Sequence, residues 1–207
     1  PFSPVTGRRF LSSKGNEDKV REVLIIFLQQ HIKEKNISSF HITFCNKNEY
    51  LFGKKKNILG RETIQYHWKN NNYSSFDHFL STLSSRKRKN IRKERENLKK
   101  IDIELLIKRG HEIANEDINL FFKCYLNTIN KKWSIAYLNY TFFDQICKSI
   151  IKQKIVLIQA FQKNVFVGCS LHFIGEKNLY GRYWGCLKEI PFLHFELCYY
   201  QAIEYAI

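Results

Sequence analysis

Between residues 155 and 187, two short turns cut the chain into three runs of β-forming residues, and no other feature narrows the fold as far. IVLIQAF (155–161) is almost continuously apolar, which suits a central strand covered on both faces. The Gln162–Lys163–Asn164 turn is too short for a crossover, so the next run must return antiparallel beside it. In VFVGCSLHFI (165–174), Val165, Val167, Cys169, Leu171 and Phe173 alternate onto one face, while Ser170 and His172 point the other way. A second hairpin turn, Gly175–Glu176–Lys177–Asn178, leads into a third strand at 179–187. An antiparallel meander is predicted.

The third strand and the residues after it carry the candidate chemistry. Strict alternation on that strand puts Tyr180, Arg182, Trp184 and Cys186 on one face and Leu179, Gly181, Tyr183, Gly185 and Leu187 on the other. An arginine flanked by aromatics can hold a carboxylate or phosphate; it can equally reach a structural carboxylate inside a core strand. After a bend at Pro191, an apolar helix is predicted from Phe192. Helical spacing places Phe192, Phe195, Tyr199, Ile203 and Ala206 on its apolar side and His194, Gln201 and Glu204 opposite. Glu196 falls at the edge of the apolar arc, away from that polar stripe. A carboxylate there suits a general base taking a proton from an attacking amine; the plainer alternative is a buried pair with Arg182 or another base. Tyr180, Arg182, Trp184 and Tyr199 form the candidate cleft wall. Cys186 and Cys198 have no His partner in sequence, so nucleophilic catalysis has little support.

Upstream, residues 17–35 carry Val20, Val23, Leu24, Phe27, Leu28 and His31 at helical spacing. SFHITFC (39–45) and residues 58–69, with RETIQYHW, read as strands, and a short helix is predicted around Glu49 to Phe52. Asn70–Asn71–Asn72 breaks structure. Ser74 or Ser75 then caps a long helix running to about Lys100. IDIELLIKR (101–109) is a further strand, and residues 116–131 and 137–152 are amphipathic helices. Between these two, KKWSIAY puts Trp133 in a connection, where it can wall a substrate cleft or simply pack.

Charge is concentrated in one place. The chain carries a formal net charge of +15 over 207 residues, which favours an anionic partner. The 84–100 stretch holds nine basic residues against two acidic ones, close to half of that excess. Ile91 and Leu98 lie a heptad apart and can hold this helix to the body, leaving Arg86, Lys87, Arg88, Lys89 and Arg92 as a candidate anion-binding surface. The six cysteines are scattered without CxxC spacing, so reduced core thiols in a cytoplasmic protein are expected rather than disulfides or a metal site. No run is long and apolar enough to span a bilayer. The first residue is Pro1 and the last falls in an apparent helix, so the chain is expected to be part of a longer protein. A sheet cut short in this way is expected to expose an edge and favour self-association.

Three stretches resemble a known family. YGRYWGCLKEIPFLHFELCYYQAIEYAI (180–207), SSRKRKNIRKERE (84–96) and PFSPVTG (1–7) are similar to signatures of the predicted N-acyltransferases of the peptidoglycan-biosynthesis-like group, relatives of the Fem-type aminoacyltransferases. The resemblance implies an α+β (α/β sandwich) architecture from two tandem domains of the acetyltransferase (GNAT) fold. Residues 1–72 would be the C-terminal part of a first domain, 73–100 a basic connecting helix, and 101–207 the N-terminal part of a second. It also implies acyl or aminoacyl transfer from a polyanionic donor, acyl-CoA or aminoacyl-tRNA, to an amine such as that of a cell-wall precursor, with no metal. Glu196 would be the base. A second expectation stands beside it: a nucleic-acid-binding module that uses residues 84–100 on an inactive acyltransferase scaffold.

Overall fold

A computed structural model describes residues 4–207, so the first three residues of PFSPVTG lie outside it. The chain forms two compact units, Pro1–Tyr66 and His67–Ile207.

The first unit contains α1 (Glu17–Glu34) and α2 (Lys47–Lys55). The second of these is longer than predicted because a capping box secures its start. Asn46 Oδ1 accepts the Glu49 N–H (2.9 Å), and the Glu49 carboxylate accepts the Asn46 N–H in return (3.2 Å). The same buried carboxylate also accepts the N–H groups of Arg9 (2.8 Å) and Phe10 (3.0 Å), tying residues 9–10 to the helix. On α1 the buried residue is Ile25, whereas Val23, Leu24 and Phe27 of the predicted apolar face are exposed. Neither 39–45 nor 58–69 is a strand. Strand propensity is realised only against a partner, and here an isolated bridge between Gly7 and Cys45 is all the pairing found among the described residues.

In the second unit the predicted long helix is two. Ser75 Oγ accepts the His78 N–H (3.0 Å) to open α3 (Phe76–Ser81), and Ser84 Oγ accepts the Lys87 N–H (3.5 Å) to open α4 (Ser85–Lys100). Each serine cap starts a helix of its own. Leu98 is buried, so α4 is seated by the heptad face expected for it.

The sheet is antiparallel, in the order β1 (Ile103–Arg109), β2 (Ile155–Gln162), β3 (Val165–Ile174), β4 (Leu179–Cys186). Lys163 (φ 50°) and Asn164 (φ 64°) both adopt the left-handed region, the hallmark of a tight hairpin turn matched to strand twist. Between β1 and β2 run α5 (Asn115–Lys131) and α6 (Tyr140–Lys148), the latter shorter than predicted because Ser149 closes it and a 3-10 turn comes next. Phe121, Cys124, Tyr125 and Phe143 pack from these helices onto Leu157, Cys169 and Leu171 on one sheet face. On the other face, Leu193 and Leu197 of the closing helix (193–206) pack onto Val156, Ile158, Ala160, Val167 and Cys186. This is an α+β architecture, as predicted. Its order of two helices, a three-strand meander and a helix is compatible with the acetyltransferase type.

Two β-bulges change the faces that alternation predicts. Ala160 pairs with Gly168 and Phe161 with Phe166, leaving Val167 as the extra residue; Val167 therefore packs with the closing helix, not with Cys169 and Leu171. On β4, Leu171 pairs with Tyr183 and His172 with Gly181, so Arg182 is the extra residue. Trp184 and Leu179 consequently face the closing helix, while Tyr183 packs against α5 and α6. Tyr180, paired with Phe173, does not share a face with Trp184. A one-residue insertion flips everything beyond it.

At the end of β4, α5 crosses at backbone contact. Thr128 Oγ1 donates to Trp184 O (3.1 Å) and Asn127 Nδ2 to Cys186 O (2.6 Å). Among the described residues, no helix is long and apolar enough to cross a membrane.

Candidate active site

The closing helix is not regular. Leu193–Phe195 and Gln201–Ala206 are α-helical, and Glu196–Tyr200 between them is a π turn in which the Gln201 N–H reaches Glu196 O. Phe192, in the left-handed conformation (φ 68°), precedes the helix instead of belonging to it. The wider turn rotates the faces that a regular helix would present. Leu193 and Leu197 take the core positions, and Phe195 and Tyr199 of the predicted apolar side stay about half exposed. Glu196 comes to lie beside Gln201 and Glu204, from which regular spacing would separate it.

Those three side chains meet at α4. Arg95 Nε donates to Glu196 Oε1 (3.1 Å), and its Nη2 donates to Glu204 Oε2 (2.8 Å). Gln201 Nε2 donates to the same Glu196 oxygen (2.8 Å). Glu196 is only 3 % exposed, and its Oε2 is enclosed without a hydrogen-bond partner. Burial works to lower the Arg95 pKa, but Glu196 and Glu204 beside it hold it above its ordinary value, so it is cationic. Phe76 lies under the guanidinium at 4.9 Å, and the Tyr200 hydroxyl donates to Glu94 (2.6 Å). Arg95 is hidden in the basic run of the sequence, although it shares the face of Ile91 and Leu98 by helical spacing. That spacing is the signal that could have found it.

The candidate wall residues divide into separate groups. Trp184 lies tilted against His194 (4.5 Å between centroids, planes at 47°), and Tyr199 meets the same imidazole edge-on at 5.6 Å. Tyr180 sits at the hairpin, its hydroxyl accepting from Asn178 (3.2 Å). Arg182 points towards the α5–α6 connection. There its Nη2 donates to the Tyr137 hydroxyl (2.7 Å), its guanidinium lies 4.1 Å from the centre of the Tyr183 ring, and the two tyrosine hydroxyls share a 2.6 Å hydrogen bond. Tyr137, not singled out in the sequence, is the missed member. Trp133 comes after α5 in a left-handed conformation (φ 51°) and is 98 % exposed.

Beneath the π turn sits a buried Ser–His pair. Ser170 Oγ donates to Leu197 O (2.9 Å) and lies 2.8 Å from His172 Nε2, while His172 Nδ1 has no partner. The ring lies over Gly181, its cross-strand partner, where no side chain competes for the space. Burial pulls the imidazole down to about 4, partly offset by Leu197 O, so it is neutral at pH 7. Below the ordinary histidine range, the unfolded chain therefore binds a proton that the folded chain refuses. Stability is expected to fall by about 3 kcal/mol as pH drops from about 6.5 to 4. Denaturant melts across that range check it, with His172→Gln expected to flatten the slope.

On α4, Arg86, Lys87 and Lys89 are exposed and have no acidic partner among the described residues. Arg88 instead donates to the carbonyls of Ser81 (3.2 Å) and Leu83 (3.5 Å), and Arg92 pairs with Asp77 (2.9 Å). Two of the five predicted anion-binding residues thus also join α4 to α3. No group of three or more His, Cys, Asp or Glu among the described residues is placed to hold a metal.

The FemAB-like family model, described as peptidoglycan biosynthesis/recognition, matches residues 1–207. No curated protein matches the chain.

Proposed function

This chain belongs to the FemAB-like family of peptidoglycan biosynthesis and recognition, and on that premise we propose that it moves an acyl or aminoacyl group from a polyanionic donor to an amine. Family members are transferases, which carries the reaction class. The observation that supports the donor class is the exposed Arg86–Lys87–Lys89 cluster, which has no carboxylate partner among the described residues and so can meet phosphates. Acyl-CoA and aminoacyl-tRNA both present them.

In this reading the chain is a piece of a tandem acetyltransferase-type protein, with 1–72, 73–100 and 101–207 as its parts. It works in the cytoplasm on an amine of a cell-wall precursor. Trp184 and Tyr199 line the cleft on the closing-helix side of the β4 edge, and Arg182, Tyr180 and Trp133 line it on the α5–α6 side of that edge. Glu196 is the base. Its Oε1 is fixed by Arg95 and Gln201, and Oε2 is the buried carboxylate oxygen left without a partner among the described residues. Local opening of the π turn exposes Oε2 to the attacking amine.

Calorimetric titration with acyl-CoAs and with charged and uncharged tRNA tests the donor. One donor is expected to bind, roughly tenfold or more weakly at 200 mM than at 50 mM salt. Replacing Arg86, Lys87 and Lys89 by Gln is expected to reduce that salt dependence. Indifference to every donor overturns the proposal. Equal binding of charged and uncharged tRNA, without acyl-CoA binding, favours the nucleic-acid module instead.

A further inference from the structure

Where β4 bulges, a guanidinium is held in place by neutral groups. Arg182 is the inserted residue between the Leu171–Tyr183 and His172–Gly181 pairs, and bulges of this kind re-aim a side chain. Its position is fixed twice, by the Tyr137 hydroxyl at 2.7 Å and by the Tyr183 ring at 4.1 Å. Among the described residues it has no carboxylate partner. Among the described residues, one of its five N–H donors is engaged, so a planar fork remains open. The adjoining connection begins where α5 closes: the Trp133 N–H bonds to Asn130 O (3.0 Å) and the Ser134 N–H to Ile129 O (3.3 Å), the helix-ending pattern that puts Trp133 in the left-handed region. The side chains of Trp133 and Ile135 on this connection are almost wholly exposed.

We propose that Arg182, Tyr137 and Tyr183 bind the carboxylate of a ligand whose apolar part lies along Trp133 and Ile135. A guanidinium matches a carboxylate bidentately, and the ring beneath it keeps the fork flat. Among the described residues no second cation bonds to the cluster, so a doubly charged phosphate would be left undercompensated. Burial and the Tyr137 hydrogen bond hold the Tyr183 phenol well above its ordinary value despite Arg182, so it stays a neutral hydrogen-bond donor. The site deepens the transferase reading, on which it rests only in treating the ligand as a substrate.

The test is an ¹⁵N NMR titration of the full chain with N-acetyl-leucine and, separately, with its C-terminal amide. Saturable shifts are expected at the Trp133 indole and the Arg182 Nε–H, but not at the Trp68 indole. The amide is expected to bind about tenfold more weakly or worse, the loss of one charge-assisted pair. Arg182→Gln should bring the acid down to the amide's affinity, and Arg182→Lys should recover only part, because it restores charge without the fork. Each variant's melting curve is recorded, so that a folding defect is seen directly and the Lys variant carries the comparison. Equal affinity of acid and amide, no shift at millimolar acid, or full acid affinity in both Arg182 variants overturns the proposal. No donor is present in this experiment, so its failure and that of the transferase reading are told apart.

Discussion

Gly185→Ala is expected to cost the His67–Ile207 unit most of its stability, more than about 4 kcal/mol, or to prevent folding outright. The reason is contact between two backbones. A Cβ on Gly185 would lie 2.2 Å from Cys124 O and 2.6 Å from its carbonyl carbon, and 2.7 Å from Thr128 Oγ1. Neither a rotamer change nor a side-chain shift relieves an overlap with a main-chain carbonyl in the middle of α5. Moving the helix away would break the Thr128 and Asn127 bonds to Trp184 O and Cys186 O and loosen the Phe121–Tyr125 packing behind them. Gly181→Ala is the control, since its nearest neighbour would be His172 Nδ1 at 3.5 Å, an ordinary contact. That change is expected to stay within about 1 kcal/mol. Thermal melts of the two variants against the parent decide it; a Gly185→Ala chain that melts like the parent means α5 does not cross β4 as described.

Removing either side of the Arg95–Glu196 pair is expected to have the next largest effect. The Glu196 side chain is 4 % exposed and that of Arg95 24 %, so Arg95→Ala strands a desolvated carboxylate, whereas Glu196→Ala leaves the guanidinium with Glu204 alone. Arg95→Ala should destabilise by about 3–5 kcal/mol, and Glu196→Ala by less, because Arg95 keeps Glu204. Arg95 loses more than its charge, because its contact over Phe76 goes as well. The double change Arg95→Met with Glu196→Leu should recover most of the loss, since no buried ion is then left unpaired, the volume is kept, and Glu204, the other partner of Arg95, is about half exposed to water. Denaturant titration of the parent, Arg95→Met, Glu196→Leu and the double variant gives the coupling directly. Additive losses in the double variant would mean that the pair is not the bond between α4 and the closing helix.

The meander is legible in the sequence because its signals are local. Two short turns and two alternating runs leave few other arrangements for residues 155–187. The faces beyond each bulge are not legible. Alternation through Val167 and Arg182 is unbroken in the sequence, and the extra residue becomes evident only when a partner strand is set beside it. The same applies to the π turn. FELCYYQ reads as an ordinary helix, which sets Glu196 away from Gln201 and Glu204, although one wider turn brings all three together at α4. The strands expected at 39–45 and 58–69 fail for the opposite reason: propensity is present but a ladder partner is not. Of the candidate site, Glu196 and Arg182 stand out by residue type and position. Their actual partners, Arg95 and Tyr137, lie 101 and 45 residues away in the chain, and nothing local connects them.

The central claim is that an acyl group passes to an amine with Glu196 taking the proton. Mass-spectrometric detection of an N-acylated acceptor tests it most directly, using the full-length protein, each candidate donor and a primary amine. Product is expected from one donor class. Glu196→Gln should lower turnover about a hundredfold or more, the usual contribution of a general base. Product from no donor, or undiminished turnover in a folded Glu196→Gln protein, would contradict the account.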